Sequence, residues 1–355
     1  MNIAIADRSV AFSHAFGREV MIPCTTWKVC AFPTALFFSD CSSDQKRTFF
    51  LDLQGPICPF TVELDLEKSC IRIFGQAKLG YFRFLIKLCK EKLIFFVEKA
   101  PSDGIFYRTE QLGENIFYKE PLVLAIDCSL SAPLQERLFL GNNQCKDLAK
   151  IRIKKELKQI LPLWFHLGQQ ISFLKKEKEL GGVFDLMQAI EKKVAVLDRN
   201  LEEEFVALYL AGFTEGFVPR GRDEEFQGIL SLESISKDPL SLLSRGAALI
   251  RSLFFQERKD QYLILPCLPP SFVSGRMKSI VTSRGTTIDL EWVKQKMRKM
   301  TVISNEDGPV YFIFPSCIYN CRIRTSLKDK GYLVKNGEAF VLQKGKTFWL
   351  DRFFK

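Results

Sequence analysis

Glu215, Asp223, Glu224 and Glu225 fall within one short stretch, TEGFVPRGRDEEFQG. Two carboxyl groups facing each other across a cleft can break a glycosidic bond. One protonates the leaving oxygen, and the other activates water or attacks the sugar. Glu215, Asp223 and Glu224 are therefore the candidate catalytic acids. Arg220 is a candidate substrate-binding residue, with Arg222, Phe217 and Phe226 beside it to donate hydrogen bonds or stack on a ring. The plainer reading is a solvated acidic loop whose carboxylates sit near helix ends. Trp164 and His166 form a second candidate substrate-binding pair, an indole to stack and an imidazole to exchange protons. The alternative there is a core histidine on an apolar helix. Trp27 and Trp349 offer further rings, but tryptophans in sheets more commonly fill cores.

Other chemistries lack their residues. No GxSxG, no GxxxxGK[ST] and no GxGxxG opening a helix is present. Two histidines, His14 and His166, are too few and too distant in sequence for a His-based triad or metal centre. Eleven cysteines are scattered with no CxxC. They read as buried, reduced thiols in a cytoplasmic protein, with no metal and no cofactor. The opening residues carry Asp7, Arg8 and Arg18, unlike a secretory signal. No apolar run reaches the roughly 18 residues of a spanning helix.

The elements that must position these residues change character twice. To about residue 131, runs such as TVELDLEKSCIRIFG and YFRFLIKLCKEKLIFFVEK alternate with period two between Gly and Pro turns. They predict an antiparallel β-sandwich. Residues 132–258 carry helical spacing. KIRIKKELKQILPLWFHLGQQI predicts a helix kinked near Leu161 by Pro162. A second pattern runs from Val183 to Phe213, and a third from Pro239 to Gln256 with Asp238 as its N-cap. Residues 259–355 return to period two, predicting an antiparallel β domain. The expected architecture is thus multidomain, β–α–β, with a shortened helical bundle in the middle.

Charge is uneven along this plan. The chain is net +10, and residues 259–355 hold 17 lysines and arginines against 8 acids. The densest cluster is Lys294, Lys296, Arg298 and Lys299, expected on an exposed hairpin. Such a surface can attract a polyanion, or can simply be a solvated face. No aromatic residue is interleaved with it as a stacking platform.

In GAALIRSLFFQERKDQYLILPCLPPSFVSGRMKSIVTSRGTTIDLEWVKQKMRKMTVIS, an amphipathic helix ends at Gln256. A strand with Leu265, Pro266, Leu268 and Pro269 follows, then Gly275, Gly285, Asp289, Glu291 and Trp292. Pro266 and Pro269 cannot donate to a ladder, so this strand must be an edge or an irregular crossing. Gly275 and Gly285 mark turns, and Ile288, Leu290 and Trp292 share one strand face. The order and spacing resemble the barrel exit and first C-terminal strands of glycoside hydrolase family 95, the α-L-fucosidase-like enzymes. That resemblance implies an N-terminal β-sandwich, an (α/α)6 barrel cut down to a few helices, and a C-terminal β domain. It transfers no catalytic residue. The family's key aspartate falls on Ser241, its Ser-Pro-Glu-Asn context is absent, and so is its Asn-x-Asn pair.

Two functions follow as expectations. One is a diverged glycoside-hydrolase-like protein that binds or hydrolyses a carbohydrate ligand. The alternative is a non-catalytic interaction protein on the same scaffold, or a basic adaptor for polyanions. Oligomeric state is open.

Overall fold

The computed structural model describes residues 9–102, 104–109, 116–117, 122–125, 136–141, 146–171, 181–223, 239–326 and 328–354. The described residues are built mostly of antiparallel sheets, with five helices among them that fall in sequence between the first pair of sheets and most strands of the last pair.

The first sheet is formed by β1 (Val10–Ser13), β6 (Phe60–Asp65), β7 (Cys70–Ala77), β8 (Gly80–Cys89), β9 (Lys92–Lys99) and β12 (Leu122–Ala125), in that spatial order. The second has β2 (Arg18–Met21), β3 (Trp27–Phe32), β4 (Ala35–Asp40), β5 (Lys46–Leu51), β10 (Phe106–Thr109) and β11 (Ile116–Phe117). Period-two alternation sets their faces. On β8, Phe82, Phe84 and Ile86 are buried, and on β3 Trp27, Val29 and Ala31 are buried. Burying the Phe, Ile and Val side chains among them contributes roughly 1.5–3 kcal/mol each, before the entropy of ordering the chain is subtracted.

Next come β13 (Arg137–Phe139), α1 (Leu148–Lys154), α2 (Leu157–Gln169), α3 (Val183–Ala195), α4 (Glu202–Gly212) and α5 (Ser241–Phe254). Asp147 caps α1 by accepting from the Ala149 and Lys150 amides at 3.0 and 3.3 Å. The expected kink near Leu161 is not where the chain breaks. Lys155 takes a left-handed φ of 57° and ends α1, and α2 then runs through Pro162. Pro162 removes one helical bond, but Leu157, Ile160, Leu161, Trp164, Phe165 and Leu167 are all buried and hold the helix on its neighbours. The single pattern expected from Val183 to Phe213 is likewise two helices, parted where Leu197 adopts φ 59°. The Asp238 cap lies outside the described residues.

The remaining strands are β14 (Phe255–Arg258), β15 (Gln261–Ile264), β16 (Gly275–Val281), β17 (Thr287–Val293), β18 (Lys296–Ile303), β19 (Gly308–Ile313), β20 (Asn320–Arg324), β21 (Tyr332–Lys335), β22 (Ala339–Leu342) and β23 (Thr347–Phe354). They form a seven-stranded sheet, β13-β16-β17-β18-β23-β20-β21, and a four-stranded one, β14-β15-β19-β22. β13 thus precedes the helices in sequence but pairs with β16 after them. β15 stops at Ile264, before Leu265 turns to φ 53° and Pro266 leaves the ladder. Gly285, at φ 79°, makes the β16–β17 turn. Gly275 does not turn the chain. It opens β16, paired with Trp292.

Candidate functional site

The loop after α4 holds the sequence-expected acids. Phe213 and Pro219 form an isolated bridge across it, and Gly216 bridges Val20 of β2. The Gly216 carbonyl accepts the Met21 amide at 3.0 Å. The loop therefore lies along the edge of the second sheet, and Glu215 faces the β1–β2 connection. Its Oε1 accepts from the Ser13 hydroxyl at 3.1 Å, and its Oε2 stands 3.5 Å from Arg18 Nε. Asp223 is buried. Glu224 and Phe226 lie outside the described residues.

Arg220 is buried and directed at the end of α4. Its Nε donates to the Ala211 carbonyl at 3.0 Å and its Nη2 to Leu210 at 2.9 Å, while its amide donates to Gly212 at 2.8 Å. Arg152 approaches from α1, donating to the Phe213 carbonyl at 2.8 Å and to Leu210 at 3.1 Å. A helix leaves its last carbonyls without intrahelical donors, at the negative end of its dipole. Two guanidiniums supply those donors here. Both arginines hold the helix end, and sequence periodicity gives no sign of either role.

Trp164 has no exposed surface, and its Nε1 donates to the Leu242 carbonyl at 3.2 Å. The indole packs edge-on against Phe213 at 4.6 Å, and Gly246 of α5 leaves room for it. His166, two residues on, lies near the Arg137–Glu67 ion pair. Burial pushes its pKa down to about 4, with the Arg137 charge adding to the fall and Glu67 opposing it. His166 is therefore neutral at pH 7. Trp27 is buried with the core of the second sheet. Trp349 is half-buried, in β23 opposite Arg324.

Two open grooves cut the helical region. One, of about 700 Å³, lies between the α1–α2 junction and the start of α4. Val206, Ala207 and Leu210 form an apolar strip in it, with Lys155 at the α1–α2 junction and Lys158 on α2 at one side and Glu202 and Glu203 of α4 at the other. The Ser271 amide donates to Glu202 at 3.0 Å. The other, of about 660 Å³, runs along α5 into β14 and carries Arg245, Arg251 and Arg258. Arg245 pairs with Glu191 at 2.8 Å. Arg251 pairs with Glu136, which is 3% exposed and also accepts from the Val281 amide at 3.0 Å. Glu136 is the buried carboxylate that sequence reasoning missed, because its partners lie over a hundred residues away.

No family model matches the chain, and no curated protein matches it. Function is therefore read from these side chains alone. Among the described residues no group of three His, Cys, Asp or Glu side chains converges to hold a metal ion. No helix among them is long and apolar enough to cross a membrane. Of the nine described cysteines, the expectation of burial holds for three, Cys70, Cys267 and Cys321. Cys58, Cys89 and Cys317 are exposed in turns or at strand ends, where no core is available. The basic hairpin is exposed as expected. Lys294 and Gln295 form its turn with φ of 52° and 62°, and Arg298 pairs with Glu291 at 3.1 Å.

Proposed function

We propose that this chain is a diverged glycoside-hydrolase-like protein that binds a glycan without hydrolysing it. In this reading the two six-stranded sheets form a β-sandwich, the five helices are the remnant of an α/α barrel, and the final strands are the C-terminal β domain of that architecture. The groove between the α1–α2 junction and α4 carries the reading. It sits at helix ends, where helical barrels bear their sites. It combines an apolar strip for the C–H face of a sugar with Lys155, Lys158, Glu202 and Glu203 at its sides for the hydroxyls. The absence of turnover rests on the carboxylates. Glu215 is engaged with Ser13 and Arg18, and no acid stands in a family catalytic context.

A glycan array of the purified protein, followed by titration and an aryl-glycoside assay, tests this. Binding without hydrolysis is expected, weakened at least tenfold in Lys158→Gln and Glu203→Gln and unchanged in Glu215→Gln. Binding that ignores both groove substitutions would remove the groove. Hydrolysis lost in Glu215→Gln would restore a catalytic reading.

A further inference from the structure

The second N-terminal sheet has one face in the core and one exposed. Val20, Val29, Leu36, Phe38, Phe49, Leu51 and Tyr107 point inward and are buried. Alternation should give the outer face to polar residues. Instead Phe32, Phe37 and Phe50 are 39%, 41% and 37% exposed. They occupy three adjacent strands, β3, β4 and β5. Ala35 is opposite Phe32 on one side and Phe50 on the other, and Phe37 follows it by two on the same face. Ala35 is only 9% exposed although it faces outward. The three rings therefore wall a shallow aromatic cup with a methyl at its floor. Phe32 and Phe37 meet edge to face at 5.8 Å.

Cations flank the cup. Arg108 of β10 is opposite Phe50 in register and stacks over its ring at 5.4 Å. Lys46, opposite Ser39 on the same face, stands exposed at the other end of β5. Glu19 on this face is paired with Lys28 at 2.7 Å, and Asp52 is exposed just past the end of β5. We propose that this face binds single-stranded nucleic acid, with bases stacked on Phe32, Phe37 and Phe50 and phosphates met by Arg108 and Lys46.

Chemistry favours this occupant over others. Every base has a π face, so phenylalanines beside cations are a sequence-tolerant stacking platform. A sugar would need acceptors for its hydroxyls, and phenylalanine has no polar tip. A second copy docked face to face would bring together two surfaces that each carry Arg108 and Lys46. The site is separate from the helical groove, so each can fail without the other.

The test is fluorescence anisotropy of the full chain with a labelled single-stranded oligouridine of about 12 nucleotides. A duplex of equal length and phosphatidylserine vesicles serve as competitors. Saturable binding that weakens steeply between about 50 and 200 mM salt is expected. Phe37→Ala and Phe50→Ala should each weaken it about tenfold, and Arg108→Gln should flatten the salt dependence. Phe37→Leu, which keeps the bulk, should behave like Phe37→Ala. The triple change Lys294→Gln, Lys296→Gln and Arg298→Gln should leave binding intact. Four results would overturn the proposal: no binding at low salt, binding lost only in the hairpin variant, preference for vesicles, or a dimer that Phe37→Ala dissociates.

Discussion

Gly275 and Trp292 are opposite each other in the β16–β17 ladder, and the indole occupies the space that a side chain at 275 would take. A Cβ there would stand 2.3 Å from Trp292 Cζ2 and 2.7 Å from the Phe139 carbonyl. Trp292 is fully buried, stacks on Phe254 at 5.3 Å, and donates through Nε1 to the Phe272 carbonyl at 3.0 Å. One ring thus joins α5, the Pro-rich exit and the seven-stranded sheet. Trp292→Ala should cost about 3–5 kcal/mol in urea unfolding. Gly275→Ala should also destabilise, because carbonyl and indole must both shift. A loss below about 1 kcal/mol in Trp292→Ala would mean that the ring is not core.

Arg152 and Arg220 both donate to the Leu210 carbonyl, so their contributions should not add. Each change to Met should cost about 1–3 kcal/mol, and the double variant should differ from the sum by at least about 0.5 kcal/mol. Strict additivity in a double-mutant cycle would show that the two guanidiniums act on separate features.

Glu215→Gln should keep the contact with Ser13 and lose only the pairing with Arg18, whose side chain is 56% exposed. A stability change under about 1 kcal/mol is expected. A much larger loss would make Glu215 a buried anchor between loop and sheet.

His166 gives the protein an acid sensitivity of known sign. Its pKa is about 4 in the fold against an ordinary value near 6.5. Between those values the unfolded chain binds a proton that the folded protein does not. Stability contributed by neutral His166 is whole above about pH 6.5 and is lost as pH falls towards 4. In His166→Asn, unfolding free energy should fall less between pH 7 and pH 4.5 than in the wild type. Identical falls would show that His166 is solvated.

Thiol alkylation followed by mass spectrometry should divide the cysteines. Cys58, Cys89 and Cys317 are exposed and should react within minutes near pH 8. Burial pushes the Cys70 and Cys267 thiols up to about 11 and Cys321 up to about 12, so these should react only on unfolding. Modification of Cys321 at the rate of Cys58 would contradict the packing of β20.

Local patterns were legible where a strand's two faces differ. Ile288, Leu290 and Trp292 are buried as their alternation requires, and Asp289 and Glu291 face outward. Pro266 and Pro269 called for an edge strand or an irregular crossing, and the chain does turn irregularly at Leu265, but β15 just before it lies inside its sheet between β14 and β19. What the pattern hid was long-range. Pro162 suggested a break, but buried neighbours carried the helix past it, and the break fell at Lys155 for no reason visible in the local residues. Arg220 looked like a ligand residue because its partners are backbone carbonyls, which no residue type betrays. The aromatic cup escaped notice because Phe32, Phe37, Phe50 and Arg108 are neighbours only across strands.

β13 pairs Arg137 with Lys278, roughly 140 positions later. A ribosome would expose this strand long before its mate exists, and Leu138, buried in the finished protein, would wait uncovered while the helical segment is made. Once β16 arrives, the helices are enclosed between two stitches of one sheet. A nick in the helical segment should therefore leave both fragments held together, and release of either would require melting the sheet itself.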